Sequence, residues 1–304
     1  MQFAGRILEP GHDEHGPEHA VHEEVIESKV AYLNPSFFYG RAIFYLGMWV
    51  LLSVAFFRWS TRQDETKDPN LTRRMETLAP FATIAFALTL TFAAFDWMMS
   101  LEPTWFSTIF GVQYFAVSAV SSLSTIILIT LALRQSGVFG SAISVEHYHD
   151  LGKLLFGFLV FWGYVTFSQF MLIWYAGIPE EATYYHLRGS GAWQNVSTAL
   201  VVAHFAIPFL LLISRGAKRR LEVLTFGAIW LLVMHVVEVY WLVLPYAEQS
   251  SVIATSLKLS PLDVAAFLTV GGPYLTVVFW LMGRFPLIPI GDPRLARALH
   301  HEVV

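Results

Sequence analysis

Seven long apolar runs constrain the fold of this chain more than any other feature of its sequence. Each run approaches or exceeds the roughly 20 apolar residues that a helix needs to cross a bilayer. Because hydrocarbon contains no water to bond the backbone, such runs must be helical. The sequence therefore predicts an all-α polytopic transmembrane helix bundle, with spans at about residues 37–57, 78–100, 106–133, 154–177, 195–214, 223–244 and 262–282.

The composition excludes an ordinary soluble domain, because 55% of the residues are hydrophobic and only 14% are charged. The chain of 304 residues contains no cysteine, which excludes disulfides, thiolate iron–sulfur ligation and cysteine zinc sites. The basic residues lie in short loops and form no large patch, so nothing indicates nucleic-acid binding.

We divide the chain into three parts. Residues 1–36 are a polar, His/Glu-rich extramembrane segment, which we expect to be disordered. Its histidines could bind a metal adventitiously, although no ligand geometry is implied. Residues 37–283 form the seven-helix membrane domain, in which the third to sixth spans are expected to make a four-helix core unit. Residues 284–304 form a tail.

The distribution of lysine and arginine predicts the orientation of the spans. Cytoplasmic loops of membrane proteins carry an excess of these residues. Of the 19 basic residues here, 14 fall on one side of the predicted bundle and five on the other. We therefore expect the N-terminus outside and the C-terminal tail in the cytoplasm.

The stretch FDWMMSLEPTWFSTIFG (residues 95–111) joins the second and third spans through a short acidic connector. Trp97 and Trp105 flank this connector, as expected where a chain turns at a membrane interface. Asp96 lies near the end of the second span and Glu102 lies in the connector. Because an ionisable group at membrane depth is costly, Asp96 is a candidate functional residue. The alternative is that it only caps the interface.

Ionisable and amide side chains concentrate in the predicted outer half of the bundle. His235 and Glu238 are three residues apart, so they share a helix face and can hydrogen-bond. Pro208 cannot donate to the carbonyl of His204, which leaves a free polar group there. We expect a proton half-channel or a quinone head-group site that opens to the outside. Its candidate residues are Asp96, Gln113, Tyr114, Tyr164, Ser168, Gln169, His204, His235 and Glu238.

Hydroxyl side chains predict a second, inner path. They form one stripe on the third span and another on the fourth, and two such faces in contact would make a wet path. The alternatives are that serine and threonine bond to their own backbone, that the tyrosines are core aromatics, and that His204 is a satisfied core histidine. The third-span stripe is Tyr114, Ser118, Ser121, Ser122 and Thr125, and the fourth-span stripe is Tyr164, Ser168 and Tyr175.

Haem binding is a further alternative. A bis-histidine haem needs two imidazoles that face each other, and only His204 and His235 lie within predicted spans. At most one haem could then bind, and Glu238 beside His235 favours a proton relay over ligation. We predict no catalytic residue, metal or cofactor held by this chain, although quinone or quinol remains a candidate ligand.

Three stretches resemble a family of membrane subunits. Residues 95–116 (FDWMMSLEPTWFSTIFGVQYFA), 31–45 and 149–185 are similar to the NrfD/polysulfide-reductase-like family, in particular to a membrane subunit of alternative complex III. The resemblance runs from Ala31 to the tail. Thr104 departs from it, since the family often has histidine there. The family has about ten spans, so this chain looks like a member without the first three.

The resemblance implies a respiratory, electron-transport role in a bacterial inner membrane. A complex of this kind is a quinol:cytochrome c oxidoreductase, in which haem and iron–sulfur centres lie on extracytoplasmic partner subunits. A homologous membrane subunit is then the firmer candidate for the quinol site. This chain would conduct protons or support the assembly without a redox centre. The alternatives are the membrane anchor of a polysulfide- or nitrite-reductase-type molybdopterin enzyme, and an unrelated multi-span transporter or receptor.

Overall fold

The computed structural model describes residues 17–139, 142–249 and 261–299, and these residues form helices without strands. The helices are α1 Pro17–Leu33, α2 Pro35–Thr66, α3 Pro69–Trp97, α4 Phe110–Gln135, α5 Val145–Ala176, α6 Pro179–Arg188, α7 Trp193–Ala199, α8 Ile207–Leu212, α9 Arg215–Arg219, α10 Leu221–Gln249, α11 Pro261–Met282 and α12 Leu295–Leu299. A 3-10 turn at Met99–Leu101 follows α3. A π-helical stretch, here called the π segment, joins α7 to α8 at Leu200–Ala206.

Within the described residues, seven helical stretches are long and apolar enough to cross a membrane, which confirms the predicted all-helical chain with seven possible spans. Several helices extend beyond the predicted spans because the helical backbone continues after the apolar run ends. For example, α2 continues through the polar residues 58–66, where Lys67 ends it in the left-handed conformation (φ 53°). The seven stretches are Pro35–Thr66, Pro69–Leu101, Phe110–Gln135, Val145–Ala176, Trp193–Leu212, Leu221–Pro245 and Pro261–Met282.

The start of the chain differs from the expectation of disorder. Residues Pro17–Leu33 form α1, so disorder is wrong for that stretch, whereas His12 and His15 lie outside the described residues. Asn34 interrupts the helix with an extended backbone, and its side chain accepts the N–H of Phe37 to cap α2. Lys29 Nζ donates to the carbonyl of Pro103 at 2.5 Å, which anchors α1 on the α3–α4 connector.

The connections gather at two opposite ends of the bundle. One end, here called the α6 face, carries α1, α6 and the α3–α4 connector. The other end, here called the tail face, carries the α2–α3 turn, the start of α5 and the chain after α11. There the N–H of Gly291 donates to Asp64 at 2.8 Å, and Arg294 pairs with Glu76 at 2.7 Å. The lysine and arginine bias predicts that the α6 face lies outside.

Helix α4 is the centre of the bundle, since it packs against α3, α5 and α10. The π segment and α8 complete this core by packing on α5 and α10, whereas α11 contains no buried residue. Apolar side chains fill the core towards the tail face, and they include Ile127, Leu155, Leu159, Leu212, Leu224 and Leu231. Aromatic side chains fill it towards the α6 face, and they include Trp105, Phe110, Tyr184, Trp193 and Trp241.

Candidate functional site

Three side chains from three helical stretches meet where the apolar and aromatic parts of the core join. Trp162 Nε1 on α5 donates to Glu238 Oε1 on α10 at 2.8 Å. His204 Nδ1 in the π segment lies 3.2 Å from Glu238 Oε2. The indole of Trp162 stacks on the imidazole of His204, with centroids 4.1 Å apart and planes 14° apart. We call these residues the buried triad, since none is more than 3% exposed.

The buried triad holds a carboxyl group that is only partly satisfied. Trp162 satisfies one oxygen of Glu238, whereas the other oxygen and both nitrogens of His204 lack a well-aligned hydrogen bond among the described residues. A buried carboxylate without a partner is costly in a membrane. A proton shared between Glu238 and His204 would lower this cost, because a carboxyl group and an imidazole can each hold it. The arrangement is therefore suited to proton uptake and release.

Pro208 determines how the π segment presents His204. In the π segment the N–H of Ile207 bonds to the carbonyl of Val202, five residues back. In that register the next N–H would bond to Ala203, but residue 208 is proline and has none. The carbonyl of Ala203 instead accepts the indole N–H of Trp230 at 2.7 Å. The freed carbonyl that finds a partner is thus at Ala203, one residue before the predicted position.

Gly163 allows α5 and the π segment to approach closely. A Cβ atom at this position would overlap the ring of Phe205, the residue that follows His204. The absence of a side chain at Gly163 therefore lets the neighbouring Trp162 lie flat on His204. Gly157 precedes Gly163 on the same helix, has open space around it and plays no such part.

Further buried polar atoms lie between the buried triad and the α6 face. Gln169 follows Trp162 by seven residues on the same face of α5, which places it about 10 Å nearer the α6 face. Atoms of this group have no hydrogen-bond partner among the described residues, so they are available to bind water. They are Gln113 Oε1, Gln169 Nε2 and Oε1, Trp105 Nε1 and the Tyr184 hydroxyl.

An ion pair closes this group of atoms at the α6 face. Arg188 Nη2 binds Glu102 Oε1 at 2.5 Å, and the guanidinium also donates to the carbonyls of Tyr184, Trp241 and Leu242. The guanidinium lies 3.5 Å from the ring centroid of Tyr184, which stacks in turn on Trp105. Leu242 is four residues beyond Glu238, so the ion pair is about one helical turn from the buried triad.

The electrostatics of the α6 face follow from this burial. Burial raises the pKa of Glu102, and the positive charge of Arg188 opposes that rise. Burial also raises the pKa of Tyr184; the charge of Arg188 lowers it, and charges on Glu102 and Glu238 raise it further. The hydroxyl of Tyr184 therefore lies within electrostatic range of both carboxyl groups.

The structure separates Asp96 from the other predicted acid and histidine residues. Arg41 binds both oxygens of Asp96, at 2.7 and 2.9 Å, and the hydroxyl of Tyr45 donates to it at 2.9 Å. The same guanidinium donates to the carbonyl of Tyr32 and lies over its ring at 3.8 Å. Asp96 is therefore fully partnered by α2 and by the end of α1, which favours a structural role.

His235 and Glu238 share a helix but do not bond to each other as the spacing suggested. Glu238 bonds to Trp162 through one oxygen and faces His204 with the other, so neither of its oxygens bonds to His235. Gln113 and Gln169 are buried, and Tyr114 packs at the junction of the two core clusters. Ser168 is half-buried on α5.

The hydroxyl stripes do not meet in the structure. Tyr164 and Tyr175 are 66% and 85% exposed on the outer surface of α5, so the expected wet path is wrong for both. Exposure of this size arises because they lie on the side of α5 opposite to Trp162. On α4 the hydroxyls of Ser121 and Thr125 bond to carbonyls of their own helix. That observation favours the packing alternative for this stripe, in which Ser118 is half-buried and Ser122 is exposed.

Sequence reasoning missed Trp162 and Arg188 as site residues. Both carried a signal: Trp162 lies in mid-span although tryptophan prefers membrane interfaces, and Arg188 is the only lysine or arginine between Lys153 and Arg215. Within the described residues, no group of three or more histidine, aspartate or glutamate side chains could hold a metal ion.

Two comparisons with known proteins did not assign the chain to a family. A scan against protein-family models found no family that matches the chain, and a search of curated proteins found no match. The resemblance of residues 95–116 to the NrfD/polysulfide-reductase-like subunits therefore stays a prediction.

Proposed function

We propose that this protein is an integral membrane subunit of a bacterial quinol:electron-acceptor oxidoreductase, and that its buried triad exchanges protons with the α6 face. The observation that supports this function best is the contact of Glu238 with both Trp162 and His204 in the core of a membrane bundle. A group that can hold one proton between two side chains suits proton transfer at neutral pH.

Access from the α6 face is supported by the polar atoms beyond the buried triad. Gln169, Gln113 and Tyr184 offer unpartnered buried atoms that can hold ordered water. Such waters would connect Glu238 to Glu102, whose charge the guanidinium of Arg188 balances. A chain of waters and carboxyl groups can pass a proton without moving the helices.

Access from the tail face is opposed by the apolar core. Leu155 and Leu159 lie one to two turns from Trp162 on the same helix, and Leu231 and Leu224 occupy the corresponding part of α10. Packed leucines leave no room for water. The buried triad would thus load and release protons at one membrane surface, as expected of a subunit beside a site of quinol oxidation.

The test is Glu238→Gln in the assembled complex, reconstituted in vesicles, with quinol turnover and proton release both measured. Glutamine keeps the size and the bond to Trp162 but cannot carry a proton as a carboxylate does. We expect turnover or proton release to fall about tenfold or more. Glu222→Gln is the matched control, because Glu222 is exposed on the same helix and should have no effect.

A second variant keeps the test decisive if Glu238→Gln assembles poorly. Trp162→Phe keeps an aromatic ring that can stack on His204, and it removes the indole N–H that binds Glu238 together with part of the ring volume. A complex that assembles with either variant and retains both full turnover and full proton release would contradict the proposed role.

The partners are tested by purification in mild detergent. A subunit of an electron-transfer complex should copurify with haem and iron–sulfur proteins and give visible haem absorbance. A colourless chain that purifies alone would favour the transporter alternative. Copurification with a molybdopterin enzyme would favour the anchor alternative.

A further inference from the structure

A cleft on the membrane-exposed side of α3 changes from cationic to apolar along its length. It has a volume of about 590 Å³ and lies near the tail face. One side is the α3 face that carries Asn70, Arg73, Arg74, Thr77, Leu78 and Phe81, and Trp59 of α2 lies on the other side. The α3 face extends about 16 Å from Asn70 to Phe81, from the helix start into the apolar part of the span.

The two arginines at the cationic end of the cleft, Arg73 and Arg74, are not paired with an acid in the described residues. Asp68, the acid in the cleft wall, accepts the backbone and side-chain N–H groups of Asn70 at 2.9 Å and caps α3. Two guanidinium groups therefore remain available for an anion.

Residues of the tail bind two nearby acids that could otherwise pair with Arg73 and Arg74. Glu76 follows the arginines on α3, and it pairs with Arg294 at 2.7 Å. Asp64 near the end of α2 accepts the N–H of Gly291 at 2.8 Å. These contacts hold both carboxylates on the tail, which preserves the positive charge of Arg73 and Arg74.

The apolar end of the cleft suits an acyl chain. Leu78 and Phe81 lie on the same face as the arginines, and Phe81 is exposed to the surrounding membrane. The hydroxyl of Thr77 bonds to the carbonyl of Arg73 in its own helix, so it adds no free polar group. Trp59 is suited to the boundary between head group and hydrocarbon, where indole rings accumulate.

We propose that this cleft binds one anionic phospholipid, with its phosphate on Arg73 and Arg74 and an acyl chain along Leu78 and Phe81. Two adjacent guanidinium groups bind phosphate oxygens through charge-assisted hydrogen bonds. Basic pockets at the ends of membrane helices bind anionic head groups in the same way. The apolar wall favours a lipid over a free phosphate ion, which would contact only the arginines.

The experiment measures lipid binding to the purified, delipidated full chain by native mass spectrometry in detergent. The probes are phosphatidylglycerol, phosphatidylcholine and inorganic phosphate. The variant R73Q/R74Q removes both charges and keeps two exposed polar side chains. Loss of two such contacts should weaken phosphatidylglycerol binding roughly thirtyfold.

The matched control is R215Q/R220Q, which removes two exposed arginines, the first residue of α9 and the residue that follows its end, also at the tail face. It should weaken binding by less than about threefold. Phe81→Ala should weaken phosphatidylglycerol binding without changing the binding of inorganic phosphate. Equal binding of phosphatidylcholine, an equal loss in the control, or phosphate binding as tight as lipid binding would overturn the proposal. The last result would leave only a phosphate-ion site.

Discussion

Replacing Arg188 by methionine tests whether the ion pair at the α6 face is a charge-balanced element of the fold. Arg188 is 1% exposed and binds Glu102 and three carbonyl groups. Methionine fills a similar volume but leaves the carboxylate of Glu102 buried without a counter-charge. Removing one member of a buried pair costs about 3–5 kcal/mol, and we expect a loss of that size in the free energy of unfolding.

The same substitution should make stability depend more strongly on pH. Burial raises the pKa of Glu102 in the folded chain, and Arg188 opposes that rise. Without Arg188 the folded state retains the Glu102 proton to higher pH than the unfolded state does. Because the unfolded state then binds fewer protons, the free energy of unfolding falls as pH rises above the usual carboxyl range. The cost of Arg188→Met should therefore be smaller near pH 5 than near pH 8.

The assay is reversible unfolding by steric trapping in detergent micelles at both pH values, on the single variants and on the double variant Glu102→Gln/Arg188→Met. The double variant has no buried charge, so it should lose only about 1–3 kcal/mol for its unpaired carbonyls. Arg284→Met is the control, since Arg284 lies over Trp280 at 4.0 Å on an exposed surface. A double variant less stable than Arg188→Met, or a cost that does not rise with pH, would refute the reasoning.

Two further predictions concern packing and orientation. Gly163→Ala should destabilise the chain by about 1–3 kcal/mol, because its Cβ would overlap the π segment. Gly157→Ala, in open space on the same helix, should be neutral or stabilising. Thermal unfolding compares the two variants, and equal effects would contradict the close approach of α5 and the π segment. Ser190→Cys should react with a membrane-impermeant maleimide on intact cells, and Ser136→Cys should not, because the charge bias places them on opposite sides of the membrane. The reverse result would mean that the α6 face lies in the cytoplasm. Both serines are exposed, and each hydroxyl bonds to a carbonyl three residues back. The chain contains no cysteine, so the introduced thiol is the only one that can react.

The number and type of the spans could be predicted because apolar runs of this length have one stable form in lipid. The candidate site was predicted in part for a related reason. Glu238 and His204 are costly in a membrane whatever their partners are, so their residue types mark them in the sequence. Which side chains pair with Glu238 and His204 depends instead on how each helix is rotated and how closely neighbouring helices approach. The spacing suggested His235 for Glu238, whereas the closeness of α5 at Gly163 brings Trp162 and His204 to it.

The outer surface of α5 shows why hydroxyl patterns carry less information than charges. Tyr164 has the spacing of a helix face, but spacing does not determine whether that face meets α4 or the membrane. Tyrosine tolerates either environment, because its ring is apolar and only its hydroxyl is polar. Asp96 shows the same limit of sequence-based prediction. Its depth in the membrane could be predicted, but its ion pair with Arg41 depends on how α2 and α3 pack together.

The buried triad lies at a boundary in the core, and this position supports the proposed one-sided proton exchange. Towards the tail face, mainly leucine, isoleucine and other apolar side chains fill the core between α4, α5 and α10, in which Ser124 Oγ and the Tyr148 hydroxyl are buried. Towards the α6 face, Trp105 and Tyr184 contribute an indole N–H and a hydroxyl, and Gln113 and Gln169 contribute amide groups, that remain unpaired in the described bundle. Glu238 lies at this boundary, so its shortest polar route to water leads to the α6 face, where Glu102 and Arg188 form their ion pair. A proton released from Glu238 would therefore leave past the ion pair of Glu102 and Arg188, whose opposite charges balance each other and leave no net charge on this route.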